Sequence, residues 1–209
     1  MGFAGKIHTE NQAELHFWEL SESVRGLSEH LSSSQLEAIE QFGSSLTIKR
    51  KKERLGVYCL LNSVFPLRFP IIRYSEAGQP FIDGYDKFIS ISHSDKYVVL
   101  MVSPIPCGVD IQVTKPNIAM GVDLFINEKD QINDGTITNN EKLHQFWCAK
   151  EALYKKYGGD VDFKNGFTFE KRGGGDSWMF FKVHLGSKNI VEIVEVFIDK
   201  FKNLFLAYC

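Results

Sequence analysis

The sequence predicts an α+β protein of two related halves, and three observations lead there. Runs with strand-like alternation occur along both halves of the 209 residues. Each half holds one long segment with helical spacing, Thr47 to Val64 in the first and Glu141 to Tyr157 in the second. The order strand, helices, hairpins is followed by helix and hairpins again, with a divide marked by Pro104 and Pro106 between Ser103 and Cys107. The boundaries expected are residues 1–104 and 105–209. No residue-level repeat accompanies this order, so the duplication is read from elements alone. No low-complexity linker separates the halves, which are expected to pack as one body.

Taken in order, Glu14 to Leu20 is aromatic and imperfectly alternating, as a strand. Leu27 to Phe42 carries Leu31, Leu36, Ile39 and Phe42 at broadly helical spacing, with Ser32 to Ser34 as an interruption or N-cap and Gly43 to Ser45 as its close. The helix from Thr47 opens on the basic tract Lys49 to Arg54 and is ended by Pro66. Short strands follow at Pro70 to Tyr74, Lys87 to Ser92, Tyr97 to Val102 and Gly108 to Gln112. The polar stretch Lys115 to Asn140 is expected to hold a short helix around Met120 to Gln131, with Asn139 and Asn140 as N-caps for the next helix. Gly158-Gly159 stops that helix. Hairpin strands then run through Phe167 to Phe169, Trp178 to Leu185, Val191 to Ile198 and Leu204 to Tyr208, with Gly173-Gly174-Gly175 as a turn and not a phosphate loop.

Composition excludes several classes. With 44% hydrophobic and 24% charged residues the chain is neither disordered nor fibrous. Its 24 Lys and Arg against 26 Asp and Glu give a net charge of -2, so no global basic footprint for nucleic acid exists and any anion site must be local. No apolar run approaches the roughly 20 residues of a membrane span, and no signal peptide is expected. Lys6 stands where a myristoylation motif beginning at Gly2 requires Ser or Thr. Four scattered cysteines without a CxxC pair signal neither a zinc ribbon nor a disulfide framework and fit a reducing cytoplasm. His144 and Cys148, four apart, do not complete a metal site by themselves.

Three segments could carry chemistry. In Gly108-Val109-Asp110-Ile111-Gln112, alternation sends Val109 and Ile111 to a core face and Asp110 and Gln112 to the other, where they are either hard oxygen ligands for magnesium or a solvated sheet surface. In Phe146 to Lys155, Trp147, Glu151 and Lys155 stack along one side of a helix. Glu151 and Lys155 are either a surface pair or a carboxylate for a metal beside an ammonium for its phosphate. Phe88 to Ser94 ends in Ser92-His93-Ser94, an anion seat or simply a turn. The basic tract Lys49 to Arg54 is a second phosphate site or a solvated helix face.

Together these pieces resemble the surfactin-type 4′-phosphopantetheinyl transferases. The resemblance rests on Gly108-Val109-Asp110-Ile111-Gln112, on Trp147-Cys148-Ala149-Lys150-Glu151-Ala152-Leu153-Tyr154-Lys155 as the Trp-x-x-Lys-Glu-Ala-x-x-Lys signature, on Ser92-His93-Ser94, and on Gly78-Gln79-Pro80 in the place of Gly-Lys-Pro. It implies a pseudodimer of two α+β halves with the active site in the cleft between them. The implied reaction moves the phosphopantetheine arm of coenzyme A to a serine of an apo acyl or peptidyl carrier protein, with magnesium, in the manner of a holo-acyl-carrier-protein synthase, releasing adenosine 3′,5′-bisphosphate. By motif position, Asp110 and Glu151 bind the metal and Lys155 the pyrophosphate. Ser92 and His93 bind the 3′-phosphate end of coenzyme A with help from Arg50 and Arg54, while Gln79 and Pro80 line the coenzyme A site. Glu151 is also the proton acceptor for the serine.

Two departures stand out. Gln112 replaces a common Glu, so it or a water completes the metal sphere, and Gln79 replaces a lysine. These motivate an alternative, a non-catalytic coenzyme A or carrier-binding module of the same fold. A nucleic-acid binder using Lys49 to Arg54 is disfavoured because no aromatic interleaves the tract. The carrier is expected on the Lys115 to Asn140 region or the adjoining groove, and the protein is expected to be a cytoplasmic monomer.

Overall fold

The computed structural model describes residues 2–9, 11–41, 46–65, 68–130, 132, 139–159, 161–173, 177–185 and 190–209. It is mixed α+β, with eleven strands, β1 (Phe3–His8), β2 (Glu14–Glu19), β3 (Ile72–Tyr74), β4 (Pro80–Ile82), β5 (Phe88–Ser94), β6 (Tyr97–Ser103), β7 (Val109–Val113), β8 (Phe167–Gly173), β9 (Trp178–Leu185), β10 (Ile190–Phe201) and β11 (Leu204–Tyr208), among the described residues. The α-helices are α1 (Val24–Ser28), α2 (Ser33–Glu40), α3 (Ile48–Val64) and α4 (Asn140–Tyr157). Chain contacts divide into two units, Met1–Ser75 with Pro80–Ile105, and Glu76–Gln79 with Pro106–Cys209. No helix among the described residues is long and apolar enough to cross a membrane.

In the first unit an antiparallel sheet of order β1-β2-β6-β5 carries the 17-residue helix α3 against β2 and β6. Leu55, Tyr58 and Leu61 of that helix share a core with Trp18, Leu20, Ile89, Val98 and Leu100. The imperfect alternation of β2 has a physical reason, since both of its faces are buried from Leu15 to Trp18. The expected helix from Leu27 to Phe42 is instead two helices. Ser32 breaks it as an N-cap, accepting from the Gln35 backbone N–H while the Gln35 side chain accepts from the Ser32 N–H. Strands β1 and β4 have no counterpart in the sequence reading. β1 buries none of its residues fully and so shows no apolar stripe, and β4 is three residues long and begins with proline.

In the second unit a sheet of order β7-β11-β10-β9-β8 packs its face on the 18-residue helix α4. Asn139 caps that helix by accepting from the Lys142 N–H, and Gly158 leaves it at a positive φ of 75°. Phe146 stacks edge-on against Phe169 and Phe181 in a core completed by Leu143, Met179, Val196 and Phe205. Burying one such ring contributes roughly 1.5–3 kcal/mol. The short helix expected around Met120 to Gln131 lies earlier and is tighter, a 3-10 helix over Ile118–Leu124; Gln131 lies outside the described residues, as do Gly43 to Ser45, Pro66 and Gly174-Gly175.

Candidate active site

The strand β7 presents Asp110 and Gln112 to the face that α4 covers, opposite Ala207 and Phe205 of β11. Helix and strand meet backbone to backbone here. A Cβ placed on Gly108 would lie 1.8 Å from the Ala152 carbonyl oxygen, so only glycine admits the helix this close. The approach brings Asp110 under the helix residues Cys148, Glu151 and Lys155. Lys155 Nζ donates to Asp110 Oδ1 at 2.7 Å and to the Val109 carbonyl at 3.0 Å, and the Cys148 thiol donates to Asp110 Oδ2 at 3.3 Å. Asp110 is 5% exposed, so the oxygen-bearing face of β7 is no solvated surface. Val109 and Ile111 on the opposite face are equally buried.

Glu151 belongs to the same cluster electrostatically. Burial pushes its carboxyl above the usual carboxylate range, the negative charge of Asp110 pushes it further, and Lys155 and Lys115 pull it back. Burial and the same aspartate drive the Cys148 thiol far above its ordinary value, so this cysteine is a hydrogen-bond donor and not a nucleophile. The carboxylates of Asp110 and Glu151, with the amide of Gln112 two residues along the strand from Asp110, are the oxygen donors that could hold a divalent cation. No third acidic or imidazole ligand joins them among the described residues. A set this sparse would suit only an ion such as magnesium, which keeps waters and takes phosphate oxygens from a substrate.

Lys150 has a different fate. Its ammonium is wholly buried against Asp130 Oδ2 at 3.0 Å and the Lys164 carbonyl at 3.2 Å, while Asp130 also accepts the backbone N–H groups of Asn127 and Phe169. Trp147 packs edge-on against Phe125 and Phe163. His144 donates one ring nitrogen to the Asn140 carbonyl and accepts the Lys115 N–H on the other, so it and Cys148 share no metal.

The first unit holds a separate polar cluster. Arg50 Nη1 lies 3.1 Å from Glu53 Oε2 and 3.4 Å from His93 Nε2, and His93 Nδ1 lies 3.5 Å from Glu53 Oε1. Adjacent strand residues point to opposite faces, so the Ser92 hydroxyl, 5% exposed, faces away from the His93 imidazole. Arg54 is one helical turn beyond Arg50, half-buried. Lys52 donates to the Leu20 carbonyl. Pro80 opens β4, while Gln79 donates its side-chain amide to the Lys156 carbonyl near the end of α4. Glu53 was masked in the sequence by its place inside a basic run; the signal available was its spacing of three from Arg50.

No family model matches the sequence. The chain is similar to 4′-phosphopantetheinyl transferase gsp of Aneurinibacillus migulanus, 33% identical over 92 residues. The match takes in 42% of this chain and spans 38% of the length of that relative. Within the segment resembling the phosphopantetheinyl transferase signature, Glu151 and Lys155 therefore join Asp110, and Lys150 does not.

Proposed function

We propose that the chain transfers the 4′-phosphopantetheine arm of coenzyme A to a serine hydroxyl of an apo acyl or peptidyl carrier protein. The observation that carries this reading is the gathering of Asp110, Glu151 and Lys155 where β7 meets α4. Asp110 and Glu151 would hold magnesium, with Gln112 or water completing its sphere, and the ion would neutralise the pyrophosphate of the donor. The serine oxygen attacks the phosphorus bearing the pantetheine arm, and the bond to the adenosine-side phosphate breaks, releasing adenosine 3′,5′-bisphosphate. Glu151 takes the hydroxyl proton, directly or through a metal-bound water. Lys155 places its ammonium beside the charge that grows on the leaving oxygen. The Arg50 and His93 cluster is read as a seat for the coenzyme A 3′-phosphate, and the protein acts as a monomer.

Mass spectrometry of apo carriers incubated with the protein, coenzyme A and magnesium tests the proposal. The expected result is a gain of the arm's mass on fatty-acid, polyketide or peptide-synthetase carriers. Coenzyme A binding with no gain on any of the three classes would leave a non-catalytic binding module.

A further inference from the structure

The first unit's polar cluster contains a residue that no motif assigns. Glu53 lies on the basic first half of α3, where Lys49, Arg50 and Lys51 are exposed, yet its own side chain is only 5% exposed. A carboxylate sealed from water is strongly disfavoured without donors, and here Arg50 and His93 supply them. Arg50 holds one carboxylate oxygen from one helical turn away, and His93 meets the other from β5. The two donors also meet each other, through Arg50 Nη1 and His93 Nε2 at 3.4 Å. A ring nitrogen facing a guanidinium N–H is the acceptor of that pair, which leaves the ring proton on Nδ1, directed at Glu53.

We infer that Glu53 is a positioning residue that fixes the His93 ring through Nδ1 and the Arg50 fork through Nη1, so that both address a single phosphate monoester. The inference rests on the reading of this cluster as the seat of the coenzyme A 3′-phosphate and deepens it. Held by Nδ1, the imidazole cannot flip, and its Nε2 edge stays beside a guanidinium whose side chain is 61% exposed and able to turn onto an incoming anion. A phosphate oxygen arriving there meets the exposed Arg50 fork beside the imidazole edge, while the Glu53 carboxylate behind both holds them in place. The seat therefore distinguishes coenzyme A from 3′-dephospho-coenzyme A, and Glu53 sets how sharply.

Calorimetric titration of the full chain with coenzyme A and with 3′-dephospho-coenzyme A tests this without a carrier. Loss of a charge-assisted anchor corresponds to about a tenfold drop in the ratio of the two affinities for Glu53→Ala. Glu53→Gln keeps an acceptor for Nδ1–H but turns no acceptor to Arg50, and is expected to recover part of that ratio. A folding defect alone weakens both ligands together and leaves the ratio unchanged, so an undiminished ratio in folded Glu53→Ala overturns the inference. If Glu53→Ala does not fold, Glu53→Gln decides, and an undiminished ratio there overturns it equally. A wild-type protein that binds both ligands alike removes the phosphate seat itself, a different outcome from a selective wild type whose selectivity ignores Glu53.

Discussion

Two lysines of α4, five residues apart, make ion pairs that differ in almost every respect. Lys150 and Asp130 are both wholly buried, and each carries further hydrogen bonds to backbone, so neither charge is available to anything else. In the second pair Asp110 is buried but the Lys155 side chain is 25% exposed, and the two stand beside a second carboxylate whose protonation they influence. A saturated pair ties elements together, here α4, the 127–130 turn and β8. A pair with one exposed end can exchange partners, as the proposed pyrophosphate role of Lys155 would require.

The largest expected effect separates the two pairs directly. Lys150→Met strands a buried carboxylate and is expected to cost about 3–5 kcal/mol of stability in urea denaturation. Lys155→Met, whose ammonium is partly exposed, is expected to cost less than Lys150→Met, about 1–3 kcal/mol for the donor lost to Asp110, while abolishing transfer to the carrier. Equal stability losses for the two would erase the distinction.

Glu151→Gln sharpens it from the other side. Transfer is expected to fall by about 10²–10³-fold, yet the variant should melt higher than the wild type in chelator at pH 8. The sign follows from the raised carboxyl. The folded state holds the Glu151 proton more tightly than the unfolded chain does, so its stability falls as pH climbs from the ordinary value of 4.5 through the raised one. Gln escapes that loss, and the difference in melting temperature is expected to close below pH 4.5. A wild type that remains the more stable protein at pH 8 would contradict the crowding of Glu151 against Asp110.

The smallest effect concerns the second oxygen of Asp110. Cys148→Ala removes its thiol donor and is expected to lower transfer by a few-fold, corresponding to about 1 kcal/mol, with Cys148→Ser restoring most of it. Steady-state rates on one carrier suffice to compare them.

Much of the second unit was legible because its signals are local. Asn139 and Gly158 bracket α4 with recognisable cap chemistry, and the one-turn spacing of Glu151 and Lys155 keeps both on the side that meets β7. What escaped depends on contacts distant in sequence. The burial of Lys150 is decided by Asp130, twenty positions upstream, and its neighbour Glu151 reads as equally polar. Ser92 and His93 form one motif in sequence but face opposite sides of a sheet, a consequence of strand geometry that a motif does not encode. Glu53 shows its part only when β5 brings His93 to α3, forty positions away.

The glycine at the head of β7 has one more consequence. Because Gly108 lets a carbonyl of α4 rest against the strand, the gap between the Asp110 and Glu151 backbones is a ruler cut in main chain, which side-chain drift cannot lengthen or shorten. Exchanging the amide of Gln112 for a carboxylate would leave that span unchanged. In the proposed metal site, the grip on the ion and its gauge would thus be set apart, one by a strand side chain and the other by the absence of a single carbon.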